Sequence, residues 1–294
     1  MADRYFHRYG VEVSKTDFDA RGATGKVVSH LADGRISQSQ LKAGRLHGRK
    51  TLTFPYSEIV EMTLEYDEGK LLSKTVHDSK GAPQEKIEIL AEQSNYVKQT
   101  WYPQGSPRSK EMWDQGRLMD ASYFDLQNLP VSKIESGYGV RTIFTDTGLV
   151  SARAEYKGGW LCSEHSFDVQ TGVTLSEIPF VKGIKSGIAS YFTVQGDLLR
   201  TESWLDGELE GEVIEYEKDY PTVIYSYVAG KREGLEYRYR GELLAETWMW
   251  KDDRRHGEHK VYVDEQLVRT DFYFNGVKVS KQGYDQLVTE IRVN

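Results

Sequence analysis

Residues 226–250 read SYVAGKREGLEYRYRGELLAETWMW. Gly230 is followed four residues on by Gly234, and Tyr237 and Tyr239 then alternate with Glu236, Arg238 and Arg240. After Gly241, Trp248 and Trp250 alternate with Thr247, Met249 and Lys251. A period of two punctuated by glycine is the pattern of half-buried strands joined by tight turns. The stretch therefore predicts β-hairpins, and its spelling recurs along most of the chain.

The glycine that opens each unit serves as a ruler. It falls at Gly22, Gly44, Gly69, Gly116, Gly137, Gly159, Gly183, Gly207, Gly230 and Gly276, with Asp253 in the glycine slot between the last two. From Gly183 to Gly276 the spacings are 24, 23, 23 and 23. The gap from Gly69 to Gly116 is 47 residues, two units with a degenerate anchor near Gln93. This gives about eleven units of roughly 23 residues, each with two strands and two turns. A second glycine follows at Gly25, Gly48, Gly187, Gly211, Gly234 and Gly257, and half a unit later come turns such as Asp33-Gly34 and Gln195-Gly196. Pro83 and Pro107 follow two such turns and should each stand at a strand's first residue or at an edge, because proline cannot donate to a ladder. Asp253 in place of glycine, and Trp160-Leu161-Cys162 after Gly159, predict bulged or irregular units at those points.

Composition narrows the classes of function. With 38% hydrophobic residues, 27 glycines and 19 tyrosines, the chain suits a thin, elongated fold better than a thick core. The net charge of −7 argues against general nucleic-acid binding. The most basic spot, Lys251, Arg254, Arg255 and His256, reads as a solvated turn. Cys162 is the one cysteine, so no intrachain disulfide forms. No apolar run approaches the ~18 residues of a membrane span. The opening MADRYFHRYG is not a hydrophobic leader, which predicts a soluble, cytoplasmic protein unless a leader has been removed.

The two ends match each other. Residues 10–19 read GVEVSKTDFD and residues 276–285 read GVKVSKQGYD. In each a short strand leads to Ser14 or Ser280, a good helix N-cap. Tyr284, Leu287, Val288 and Ile291 then fall on one helical face. Both ends read as helical caps on exposed sheet edges, giving segments 1–21 (cap), 22–279 (array, degenerate around 85–182) and 280–294 (cap helix). The first copy also reads as the tail of an earlier unit in a longer parent.

The unit resembles the bacterial MORN-repeat variant arrays of the YwqK antitoxin-like type. The residues that carry the likeness are WLDGELEG at 204–211, YVAGKREG at 227–234 and YFNGVKVS at 273–280. It covers roughly 22–283, strongest from 183 on. The resemblance implies an all-β, elongated, single-layer antiparallel sheet or solenoid of hairpin repeats. It also implies an antitoxin or immunity role beside secreted toxins, a label that comes from neighbours and not from a residue motif.

No constellation breaks the repeat in the way an active site would. His256-Gly257-Glu258-His259 is the best metal-like cluster, yet His256 holds the same slot as His47, and His256 and His259 should point to opposite faces of a strand. The acidic run 206–212 lacks the spacing of a calcium loop. No nucleotide loop or nucleophile elbow is spelled. The expectation is a non-catalytic protein with no cofactor and no metal. The aromatic ladder remains: Trp204, Tyr216, Tyr225, Tyr227, Tyr237, Tyr239, Trp248 and Trp250. It reads either as the packed face of the sheet or as a face that receives another protein, a toxin or secreted factor among the candidates. Peripheral association with lipid is the alternative, disfavoured by the acidic balance. Glu, Lys, Arg, Thr and Ser are expected on the opposite, wet face.

Overall fold

A computed structural model describes residues 3–90 and 94–293. The described chain is nearly all β: 27 strands in an antiparallel sheet, with helices at Lys15–Ala20 and Lys281–Val293. The fold class read from the sequence is the one observed. The anchor near Gln93 lies outside the described residues. Contacts divide the chain into two compact units, Met1–Leu149 with Tyr156–Gly159, and Val150–Glu155 with Trp160–Asn294.

From Gly44 on, the described ruler residues are the second residues of two-residue turns, whereas Gly22 closes the helix Lys15–Ala20. At Ala229-Gly230 the φ values are +49° and +75°. Two consecutive positive φ values mark the type I′ turn, whose twist matches that of the strands it joins. Asp252-Asp253 adopts the same shape without glycine, at +48° and +61°. Gly158-Gly159 does so at +60° and +81°. Both turns are therefore regular, while the ladder that the Asp252-Asp253 turn closes is bulged between Trp248 and Trp250. Asp253 sustains the left-handed conformation because its Oδ1 accepts the N–H of Arg232 at 2.8 Å.

Successive turns are tied together. The N–H of Gly207 donates to the carbonyl of Lys185 at 2.9 Å, and that of Gly230 to Leu209 at 3.0 Å. Asp253 donates to Arg232 at 3.2 Å, and Gly276 to Arg255 at 2.8 Å. Gly44 to Ala23, and Gly69 to Leu46, repeat the tie in the first unit. The N–H of the preceding turn residue is capped by a side chain of the unit before: Ala229 by Glu210 at 2.7 Å, Asp252 by Glu233 at 2.9 Å, Ala43 by Thr24 at 3.0 Å. The repeat is thus spelled by turn chemistry that satisfies both orphan donors.

In the first unit, the strands Pro83–Ile89 and Pro107–Asp114 begin on the two prolines, as ladder chemistry requires. Ser14 caps the helix Lys15–Ala20 by accepting the N–H of Asp17 at 3.1 Å, and Phe18 is buried against Tyr5. In the second unit Ser280 accepts the N–H of Gly283 at 3.1 Å and so caps Lys281–Val293. Tyr284 of that helix packs on Phe272, Phe274 and His256, with Leu287 and Val288 half-buried. The side chain of Ile291 lies outside the described residues. Among the described residues no helix is long and apolar enough to cross a membrane.

The Asp253 turn gives a direct check. Alanine keeps the left-handed strain and loses the bond to Arg232, whereas glycine loses only the bond. Asp253→Ala should lower unfolding stability by about 1 kcal/mol more than Asp253→Gly does in urea titrations.

Candidate binding face

Strand register assigns each aromatic residue of the second unit to a face. Val213 stands opposite Tyr225 and Gly211 opposite Tyr227. Val223 is opposite Arg238, Glu236 opposite Trp248 and Gly234 opposite Trp250. Trp248 is opposite His259, Trp250 opposite Arg255 and Gly257 opposite Tyr273. On the other side Glu202 is opposite Val213, which brings Trp204 onto the same face. Tyr216, opposite Pro221, keeps step with Val223 and joins them. Tyr239 joins too, because a β-bulge between Arg238 and Tyr239 turns it to the side of Leu244 and Glu246. Tyr237 does not: it is opposite Ile224 and Thr247 and lies on the other face, with Leu235 and Met249.

The face is not purely aromatic. Glutamates sit among the rings, and a recurring Glu-x-Trp spelling explains why. Residues two apart on a strand share a face, and each glutamate accepts the indole N–H of the tryptophan that follows. Trp204 Nε1 donates to Glu202 at 2.9 Å, and Trp248 Nε1 to Glu246 at 2.9 Å. In the first unit Trp113 Nε1 donates to Glu111 at 3.0 Å. Glu236 is 1% exposed and accepts from Trp250 Nε1 at 2.8 Å and Arg238 Nε at 2.6 Å. This corrects the assignment of glutamate to the wet face: buried carboxylates are held there because ring N–H and guanidinium donors surround them.

Each hub gathers further donors. Glu202 also accepts from the Tyr191 hydroxyl at 2.9 Å and Lys185 Nζ at 3.2 Å, while Arg200 reaches its other oxygen at 3.0 Å. Glu215 accepts from the Tyr225 hydroxyl at 2.6 Å. Glu111, 2% exposed, takes the Tyr123 hydroxyl and Arg141 Nε on one oxygen, each at 3.0 Å. Burial alone raises the pKa of Glu202, but the hydrogen bonds from Trp204, Tyr191 and Lys185 outweigh it and hold the group below 4.5. At Glu246 burial is likewise outweighed, here by Trp248 and His259. Burial and the bond to Glu215 push the Tyr225 hydroxyl up to about 12.

Cations lie on the rings. Lys185 Nζ stands 3.8 Å from the Trp204 centroid, and the Arg232 guanidinium 4.4 Å from Tyr225 and 5.1 Å from Trp250. Trp248 is covered on both sides. The His259 ring stacks on it at 3.4 Å and the Arg255 guanidinium lies at 3.9 Å. Groups that close cannot share one side of a ring, so they form a sandwich, and Trp248 is 9% exposed. Trp204, Tyr216, Tyr227, Tyr239 and Trp250 remain half-buried, and Tyr225 is buried. Trp248 is thus a packing residue, while Trp250 is open at the rim.

Arg255 is a residue that sequence reasoning assigned to a solvated turn. The turn is Asp252-Asp253, and Arg255 lies on the strand Arg254–Val263 opposite Trp250. Its signal was legible as the position 23 residues beyond Arg232. His256 and His259 do take opposite faces, His256 meeting Phe274 and Tyr284 and His259 meeting Trp248. Among the described residues no group of three or more His, Cys, Asp or Glu side chains could hold a metal ion. Cys162 Sγ lies 3.5 Å from its partner, the carbonyl of Trp160.

Removing the acceptor of a hub strands several donors, so Glu202→Ala should cost about 2 kcal/mol in chemical unfolding. The pH dependence follows from the lowered pKa. The stabilisation by Glu202 and Glu246 is complete above the unfolded value near 4.5 and is lost as pH falls through the lower folded values. The melting temperature should fall below pH 4.5, and Glu202→Gln should make that fall shallower.

No family model matches the sequence, and no curated protein matches it. Among solved structures, the chain is similar to TcdB2-TccC3 without its hypervariable C-terminal region, at 14% identity and a TM-score of 0.19, with 87% of this chain and 16% of that chain covered. BamB from Moraxella catarrhalis is 8% identical, with 85% of this chain and 74% of that chain covered and a TM-score of 0.16. A porin-like protein from Bacteroides uniformis is 11% identical, with 86% and 88% covered and a TM-score of 0.16. Overlaps of this quality carry no argument about family or activity, and the chain spans only 16% of the TcdB2-TccC3 chain.

Proposed function

We propose that this chain is a non-catalytic, protein-binding repeat scaffold of the MORN-repeat variant kind. In this reading it engages its partner through the face that carries Trp204, Tyr227, Trp250 and Arg255. The observation that supports it most is the rim of half-buried rings with cations laid across them, Lys185 on Trp204 and Arg232 beside Trp250. Tryptophan, tyrosine and arginine are the residues that dominate binding energy at protein interfaces, because they bury large areas at little cost in conformational freedom. Fixing the rings in advance by indole-to-glutamate hydrogen bonds lowers the ordering cost of association. Neutralisation of a toxin is the role the family likeness suggests.

The sandwich separates packing from binding. Trp248→Ala should cost several kcal/mol of stability because it empties a covered site, about 3–5 kcal/mol for a fully buried ring. Trp250→Ala should cost about 1–3 kcal/mol, because it removes one donor to buried Glu236, yet stay folded and weaken partner binding at least about tenfold, a loss of ~1.4 kcal/mol or more. Affinity capture from the source cell followed by titration of the isolated partner measures both. Equal binding by wild type and Trp250→Ala overturns this choice of face, and co-sedimentation with liposomes in place of protein capture would favour a lipid surface.

A further inference from the structure

Four cations recur at one position of the unit. Lys185, Arg232, Arg255 and Lys278 each stand opposite an aromatic residue, respectively Phe180, Tyr227, Trp250 and Tyr273. Three of the four have a carboxylate on the same face. Lys185 bonds Glu202 at 3.2 Å, Arg232 lies 3.6 Å from Glu236, and Lys278 pairs with Asp271 at 3.0 Å. Arg255 differs. It is exposed, it lies on Trp248, and among the described residues no acidic side chain pairs with it. Carboxylates of the same face are engaged elsewhere: Glu246 with Trp248 and His259, Asp271 with Lys278 and Arg269, and Glu236 with Trp250 and Arg238.

Resting on the binding-face reading above, we propose that Arg255 receives an aspartate or glutamate side chain of the partner protein. A guanidinium with unpaired N–H groups takes a carboxylate by two parallel hydrogen bonds. Contact with the Trp248 ring, 3.9 Å from the guanidinium carbon to the centroid, holds the group over the face, and the bond from the N–H of Gly276 to the Arg255 carbonyl, at 2.8 Å, fixes the backbone beneath it. The surroundings favour single carboxylates over a polyanion. Glu202, Glu236, Glu246 and Asp271 lie on the same face, and the chain carries a net charge of −7, so a nucleic acid, a sulfated glycan or an anionic bilayer would meet repulsion on either side of Arg255. An acidic side chain flanked by apolar residues meets one unpaired arginine and the rims of Trp250 and Tyr273, both within 5.9 Å of the guanidinium.

The test uses the full chain and, as the probe, a short peptide with one glutamate flanked by leucine and alanine, with its glutamine counterpart, hexaglutamate and inorganic phosphate as controls. Binding is read from the Arg255 Nε–H resonance and from tryptophan fluorescence. The single-glutamate peptide should bind saturably and its glutamine counterpart should not, with affinity falling as salt rises, and tighter binding by hexaglutamate overturns the preference for single carboxylates. Arg255→Gln should weaken it about tenfold, and Arg255→Lys, which keeps charge but loses the fork, should fall between. Circular dichroism establishes that both variants are folded. An unchanged affinity in Arg255→Gln overturns the assignment, as does phosphate binding equal to that of the peptide. The same variants separate this inference from the reading beneath it. A captured partner lost by Trp250→Ala but retained at full affinity by Arg255→Gln leaves the face in place and removes the carboxylate site. A partner retained by both removes the face itself.

Discussion

From Gly207 to Gly276 the N–H of each anchor residue donates to a carbonyl of the preceding unit, and much of the structure follows from that bond. A two-residue turn with two positive φ values leaves backbone donors at its tip that the hairpin's own ladder does not use. Here one of them is spent on the carbonyl of Lys185, Leu209, Arg232 or Arg255, and the other on a side chain such as Glu210 or Glu233. The next hairpin must therefore sit one repeat further on, which keeps successive anchors such as Gly183, Gly207 and Gly230 at 24 and 23 residues. At Lys185, Arg232 and Arg255 the residue whose carbonyl is used is also the one whose cationic side chain lies over the rings, while Leu209 fills the same position with an aliphatic side chain. Turn geometry and face chemistry are in this way coupled through a single backbone position.

Turns and ends were legible in the sequence because their chemistry is local. A left-handed pair needs glycine, aspartate or asparagine, a helix start needs serine, and a proline must head its strand. All three are properties of a few adjacent residues, and Gly230, Ser280 and Pro107 obey them. The composition of each face was not legible in the same way. Strict alternation places Tyr237 with Tyr239, but the bulge after Arg238 puts them on opposite sides. A one-residue insertion into a ladder inverts every inference of face beyond it. Alternation also hides the glutamates, since a carboxylate next to a tryptophan in the sheet looks polar and wet until its partner is known. The spelling Glu-x-Trp at 111, 202 and 246 was available throughout and is the signal that would have found them.

Charge on this face is organised by neutralisation. Aromatic rings offer cations a negative surface, and the carboxylates between them accept from indoles, phenols and guanidinium groups together. A buried carboxylate is costly unless it is both paired and fully bonded, and Glu236 meets that condition with Trp250 and Arg238. The rings in turn acquire fixed orientations. Rigid, oriented aromatic residues with little rotamer freedom left to lose are what separates a prepared recognition face from a merely apolar one.

The ladders also have a kinetic meaning. Nearly all pairing joins strands that follow one another in the chain, and the turn ties reach back only 21–23 residues, from Gly230 to Leu209 or Gly69 to Leu46. Closing such short loops loses little chain entropy, so any hairpin can begin the sheet and its neighbours can add to it from either side. The converse holds on unfolding. Each unit leans only on the ones beside it, so heat or denaturant should strip the array progressively from its weakest hairpins, and the chain should lack the single sharp transition of a closed core.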